Sequence, residues 1–119
     1  MPLTFHRVIS AWSKCMNDKD SSEINDLLSD DFVWQSAAPE NKTPSDDKAD
    51  KTETIEFTLG ADISMGDFNT IYDGQEVVSG THSAIIDGTE KVVFCLGHLT
   101  DDGTKVKSWR HLSGDYPID

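Results

Sequence analysis

Three Asp-Gly pairs, Asp73-Gly74, Asp87-Gly88 and Asp102-Gly103, divide the second half of this chain into apolar runs of about ten residues. Asp-Gly supplies the positive backbone angles that a tight turn between antiparallel strands demands, and Gly meets them without steric cost. The runs between the pairs, Gln75 to Ile86, Lys91 to Thr100 and Lys105 to Leu112, are rich in β-branched and aromatic residues. With Phe68 to Tyr72 before the first turn they read as an antiparallel meander. A chain with this second half is restricted to folds in which a continuous sheet must be covered by whatever precedes it.

What precedes it is helical. Phe5, Val8, Ile9, Trp12 and Met16 recur at helical spacing behind Thr4, a residue suited to capping. Ser21-Ser22-Glu23 opens a short second helix with Ile24, Leu27 and Leu28 inward. Ser29-Asp30-Asp31 closes it, and Phe32 to Ser36 reads as a brief strand. Residues 39–52, with Pro39, Pro44 and many charged side chains, read as an exposed loop. That composition suits a lid or an idle connection equally. A third helix is expected from about Thr52, with Ile55, Leu59 and Ile63 facing in. Helices first and a meander afterwards give an α+β fold over residues 1–119 as one domain, three helices packed in a curved antiparallel sheet. Val77-Val78 and Val92 to Leu96 are apolar on both strand faces. One face is expected to take the helices, and a second copy of the chain is the simplest cover for the other, a homodimer through the sheet.

The charge balance, 22 acidic against 10 basic residues and a formal net charge of −12, repels phosphate backbones and anionic lipid. Nucleic acid and membrane partners are therefore not expected. The first residues lack the charged-then-apolar pattern of a signal peptide, so a cytoplasmic location is expected. Cys15 and Cys95 then read as buried reduced thiols.

Leu27-Leu28-Ser29-Asp30-Asp31-Phe32-Val33-Trp34, Asp73-Gly74 with its long following strand, and Asp102-Gly103-Thr104-Lys105-Val106-Lys107-Ser108-Trp109-Arg110-His111 together resemble the nuclear transport factor 2-like (SnoaL-like) superfamily, which has a cone-shaped, cystatin-like α+β fold. That resemblance implies a pocket inside the cone. The limonene-epoxide hydrolases of the superfamily carry a polar catalytic set; at the matching positions stand Trp34, Ser36, Gly80-Thr81-His82 and His111, so every polar catalytic residue differs. Ketosteroid isomerase-like members need a carboxylate near Ser36, and a serine hydroxyl is no base by itself. Cyclases of the SnoaL type, which use a carboxylate and a histidine, remain compatible because histidines stand here.

Strand alternation puts Gly80, His82 and Ala84 on one face, and Lys107, Trp109 and His111 on one face; the resemblance makes these pocket faces. His82 and His111 are the candidate catalytic pair, since an imidazole titrates near about 6.5 and needs little perturbation to serve as base or acid. Trp34 and Trp109 are expected to wall the pocket, with Ser36 beside them and Tyr72 as a further candidate ligand donor. The alternative is that the histidines merely bond water or backbone and the tryptophans are core. His98 falls on the opposite strand face, and no HxH or HExxH spacing occurs, so neither a metal nor another cofactor is expected. Two functions remain open: a cofactor-free acid–base isomerase, cyclase or dehydratase acting on a hydrophobic or aromatic metabolite, or a non-catalytic ligand-binding or interaction domain.

Overall fold

The computed structural model of the chain describes residues 2–36 and 48–115, with backbone alone at Ser36 and Asp115. Its elements are α1 (Phe5–Asp18), α2 (Ser22–Leu27), β1 (Leu28–Ser36), β2 (Lys48–Asp50), α3 (Lys51–Gly60), β3 (Ile63–Asp73), β4 (Val77–Ile86), β5 (Thr89–Leu99) and β6 (Val106–Asp115). The question of a lid concerns mainly residues 39–47, which lie outside the described residues.

The three Asp-Gly pairs turn the chain differently: Gly103 but not Asp102 takes a positive φ, and neither Asp73, the last residue of β3, nor Gly74 does. Asp87 and Gly88 both take positive φ, 51° and 82°, the geometry that joins twisted antiparallel strands. In the last connection the Asp102 carboxylate accepts from the Thr100 hydroxyl (2.7 Å), the Thr104 hydroxyl (2.8 Å) and the Thr104 N–H (3.1 Å). Those bonds, from Thr100 first, hold its pKa down at about 2. Strands β3 to β6 pair antiparallel in sequence order, and the full sheet runs β2-β1-β6-β5-β4-β3.

Two features depart from the expected all-antiparallel sheet with strict alternation. β1 joins β6 in parallel, placing Trp34 beside Trp109 and Ser36 beside His111. On β6 the register against β5 slips: Leu99 pairs with Val106 but His98 with Ser108. Lys107 is the extra residue of a β-bulge, so Val106 is fully buried while Lys107 is exposed. Lys107 therefore does not share the inner face with Trp109 and His111.

Helix α1 begins as expected, its Thr4 hydroxyl accepting from the Arg7 N–H (3.1 Å). A second orphan donor, the Phe5 N–H, is met by the Asp73 carboxylate at 2.7 Å, which docks the helix on the β3–β4 hairpin. Its inward face, Phe5, Val8, Ile9, Trp12 and Cys15, is buried against the sheet. Asn17 ties the other end to β3, donating to the Met65 carbonyl (3.0 Å) and accepting from the Met65 N–H (2.8 Å). The core gathers α1, Ile24 and Leu27 of α2, and the inward residues of the sheet, among them Phe32, Val78, Val93, Cys95 and Trp109.

Helix α3 starts behind a reciprocal capping box, Asp50 with Glu53. Its facing differs from the expected one. Thr54 and Thr58 are its buried residues; Ile55 and Leu59 are half-buried, and Phe57 is 70% exposed. Ile63 belongs to β3 instead. Thr54 and Thr58 face a cavity while Ile55 and Leu59 pack against the core beside it, so the inner face of the helix is part polar and part apolar.

Candidate functional site

Between the helices and the concave sheet lies a cavity of about 520 Å³. Ile9, Trp12 and Met16 of α1 form one side, Thr54 and Thr58 of α3 another. Trp34 of β1, His82 of β4, Cys95 of β5, and Trp109 and His111 of β6 form the sheet wall. Lys48, Glu53 and Phe57 line it too and are exposed, so they stand at its mouth. A volume of this size suits a small organic molecule, and its lining is mostly apolar with few polar groups, the usual make-up of such sites.

All three tryptophans line the cavity. The parallel pairing of β1 with β6 sets Trp34 next to Trp109. Trp109 is sandwiched: Phe5 stacks on it (centroids 6.1 Å, planes 10° apart), and Trp12 approaches at 6.3 Å, tilted by 55°. Gly97 faces Trp109 across the β5–β6 pair, and a Cβ there would lie 2.6 Å from the indole ring. The absence of a side chain at Gly97 is what allows the indole to lie flat on the sheet. Trp12 thus serves both as core and as cavity wall.

His82 is 5% exposed, and its Nδ1 lies 3.1 Å from the Ser83 carbonyl oxygen. A carbonyl only accepts, so in this bond Nδ1 carries the proton and Nε2 is left with a lone pair. Burial lowers the pKa of His82, and the bond to the Ser83 carbonyl opposes that shift without cancelling it. The ring is therefore a neutral base near neutral pH. His111 sits on β6 with its ring edge-to-face on Trp34 (4.7 Å, 88°).

The two histidines lie on strands separated by β5. His82 is level with Val93, and His111 with Cys95. With strands spaced by about 4.8 Å and about 3.4 Å per residue, their Cα atoms are about 12 Å apart. That spacing suits two groups contacting one bound molecule rather than each other. Between them, burial pushes the Cys95 thiol up to about 12, against a smaller opposing effect of a hydrogen bond with Trp109. It remains a thiol and is no nucleophile at neutral pH.

The cavity thus brings together Trp34, Trp109, His82 and His111 of the residues singled out in the sequence. It does not include Tyr72, which is 55% exposed with its ring over Gly74. The bulges in β3 break its alternation with β4 and carry Tyr72 out to solvent. Ser36 pairs with His111 along the backbone; its side chain is outside the described atoms. Sequence reasoning missed the α3 wall and the mouth. Thr54 and Thr58 are spaced by four, as Ile55 and Leu59 are one position on, so spacing alone does not decide which stripe faces the cavity. Among the described residues no cluster of three His, Cys, Asp or Glu side chains is placed to hold a metal ion.

By sequence, the chain matches no protein-family model and no curated protein. By structure it is similar to several solved proteins. A nuclear transport factor 2-like protein of unknown function from Cytophaga hutchinsonii superposes with a TM-score of 0.70 at 10% identity, over 96% of this chain and 93% of that one. A candidate ketosteroid isomerase from Kribbella flavida gives 0.70 at 11%, over 94% and 78%. A candidate polyketide cyclase from Streptomyces antibioticus gives 0.62 at 16%, over 89% and 88%. At these identities the likeness speaks for architecture alone, and it agrees with helices followed by a curved six-stranded sheet: the chain has the nuclear transport factor 2-like fold.

Proposed function

We propose that the cavity binds a small hydrophobic or aromatic metabolite and that the chain catalyses a cofactor-free acid–base rearrangement of it, an isomerisation, cyclisation or dehydration. The observation that carries this reading is His82. Its Nδ1–H is held by a backbone carbonyl, its Nε2 lone pair is left open, and burial keeps it neutral beside a tryptophan-lined cavity. In the proposed reaction Nε2 takes a proton from an acidified C–H or O–H of the substrate. His111 delivers a proton to a second atom, so the substrate gains and loses one proton. Trp34 and Trp109 offer flat faces that orient a ring. The likeness in fold to candidate isomerases and cyclases is in keeping with such chemistry. Cofactor-free work on a small molecule agrees with the acidic surface, which favours neither nucleic acid nor anionic lipid. Among the described residues no helix is long and apolar enough to cross a membrane.

A non-catalytic binding domain is the competing reading, favoured by the edge-on contact of His111 with Trp34, which suits a structural ring. A thermal-shift screen against a metabolite library separates the two when run beside a His82→Ala/His111→Ala variant. Compounds that stabilise the wild type and are turned over by it, but not by the variant, support the enzyme. Compounds that stabilise both proteins and are never converted sink it in favour of binding alone.

We also propose a homodimer through the outer sheet face. Phe94 and Leu112 face each other across β5–β6 and are 43% and 52% exposed, and Ile85, farther along β4, is 50% exposed. Sedimentation of the purified protein is the measurement.

A further inference from the structure

The polar groups around the cavity differ in what they can offer an occupant. On the helix side, the Trp12 indole N–H and the Thr54 hydroxyl have no partner among the described residues, but both atoms are sealed within the wall. The Thr58 hydroxyl donates to the Thr54 carbonyl at 2.8 Å, so its proton is already placed. On the sheet side, the Cys95 thiol keeps its proton and bonds with Trp109. His82 is different. It is 5% exposed and lines the cavity. Its strand runs between β3 and β5, where His82 pairs with Phe68 and Val93, so the backbone beneath the ring is fixed. The bond from Nδ1 to the Ser83 carbonyl, 3.1 Å, fixes the rotation of the ring. Nε2, at the far end of the ring from the backbone, has no partner among the described residues, and it is not sealed as the Trp12 and Thr54 atoms are. Buried polar groups are almost always paired, because an unmade bond in a dry place leaves the group's desolvation uncompensated. Leu or Phe would occupy the position without a lone pair. A lone pair held at an apolar cavity marks the place where a ligand's donor completes the set.

The chemistry of Nε2 defines that donor. A bare imidazole nitrogen accepts one hydrogen bond and offers none. A carboxylate or a ketone oxygen would set lone pair against lone pair. A primary amide brings two N–H bonds and leaves one unmet in an apolar space. A hydroxyl brings one. An ionised hydroxyl would find no counter-charge at a neutral ring, in a chain whose formal net charge is −12, so the group binds with its proton on. Resting on the binding function proposed above, we infer that the cavity selects ring-bearing molecules carrying a neutral hydroxyl, a phenol or an enol, which donates to Nε2 of His82. Trp34 and Trp109 take the ring. The hydroxyl is then also the O–H from which the proposed reaction draws its proton.

Three probes built on one ring system test this: 2-naphthol, whose hydroxyl donates; 2-methoxynaphthalene, whose oxygen only accepts; and naphthalene, which does neither. Their dissociation constants are measured by ligand-observed NMR titration for the wild type and His82→Phe. Selectivity is the naphthalene constant divided by the naphthol constant, and comparing it between proteins cancels the unequal hydration of the probes. It is expected to fall on the order of tenfold in His82→Phe, while naphthalene binding holds and shows the cavity intact. A second measurement needs no substitution. In wild-type protein isotope-labelled at the histidine nitrogens, the Nε2 resonance of His82 should move to a more shielded position with 2-naphthol and stay in place with naphthalene. Should His82→Phe fail to fold, this resonance alone decides. Unchanged selectivity, or an Nε2 resonance that bound 2-naphthol leaves in place, overturns the hydroxyl subsite and leaves the cavity reading standing. A preference for 2-methoxynaphthalene that His82→Phe abolishes overturns it as well, because Nε2 is then the donor. If no probe binds the wild type, the binding function falls and this inference with it.

Discussion

Substituting Gly97 by Ala tests the geometry on which the sheet wall depends. An ideal Cβ at this position lies 2.6 Å from Cζ3 and 2.7 Å from Cε3 of Trp109, and 3.4 Å from a methyl group of Val78. Comfortable carbon–carbon contact is about 3.5–4.0 Å, so the indole must retreat by about 1 Å. Phe5 stacks on this ring and Trp12 leans against it. The side that can yield is the cavity. Overpacking a well-packed core costs about 1–3 kcal/mol, and room in the cavity argues for the lower half of that range. Relief of glycine's conformational entropy returns about 0.5–1 kcal/mol in a strand. A net loss of about 1 kcal/mol remains. At about 2.1 cal/mol/K of unfolding entropy per residue, a chain of 119 residues melts about 4 °C lower for each kcal/mol lost. Calorimetry of Gly97→Ala should therefore show a drop of about 4 °C, with altered tryptophan fluorescence. Gly80→Ala should fall further, since its Cβ meets the Asn69 carbonyl oxygen at 2.4 Å and the Phe5 ring at 2.3 Å. Backbone cannot swing aside as a ring can. Gly114→Ala meets nothing within 4 Å and serves as the control. The reasoning is refuted if Gly97→Ala melts with the wild type and its fluorescence is unchanged.

Two further outcomes follow from the same structure. Burial lowers the pKa of His82 in the fold, whereas an imidazole in the unfolded chain titrates near about 6.5. The unfolded state therefore binds the proton first as pH falls; stability is full above about 6.5 and declines below it until the folded ring also protonates. Urea midpoints from about pH 5 to 8 should thus show His82→Gln gaining on the wild type as pH drops; a constant gap excludes a depressed pKa. For the outer face, Phe94→Lys with Leu112→Lys should turn a dimer into a monomer in sedimentation velocity, weakening association on the order of tenfold or more per substitution. A wild type that stays monomeric at high concentration removes the proposed interface.

Local chemistry was legible from the sequence wherever one or two residues decide the conformation. Asp87-Gly88 must turn, Thr4 must cap, and Phe5, Val8, Ile9 and Trp12 must share a helix face; each does so. Alternation grouped His82 with Gly80 and Ala84, and Trp109 with His111, while the family resemblance made those faces, and Trp34, the wall of a pocket. The reading failed where alternation is interrupted. The bulge at Lys107 and the register shifts in β3, which carry Tyr72 outward, depend on how neighbouring strands fit rather than on any residue in the strand itself. The parallel union of β1 with β6 joins segments more than seventy positions apart and leaves no local mark. Trp12 and Thr54 were missed for another reason. An aromatic on an apolar helix face and a threonine in a polar helix are ordinary in sequence, and only burial without a partner sets them apart.

The arrangement explains why this fold keeps a cavity at all. At one end of the sheet, Gly80 and Gly97 draw Phe5 and Trp109 down onto the backbone, and the space between α1 and the strands is filled by rings. Toward α3 the filling stops, because that helix presents Thr54 and Thr58 where Leu or Ile would complete the core. A large apolar residue at position 54 would close the space and remove an orphan hydroxyl together, two stabilising changes in one substitution. The sheet places His82 and His111 on paired strands, and the helix leaves the room beside them. Occupancy of the cavity by any molecule that binds the folded chain should raise the melting temperature in proportion to its affinity and concentration.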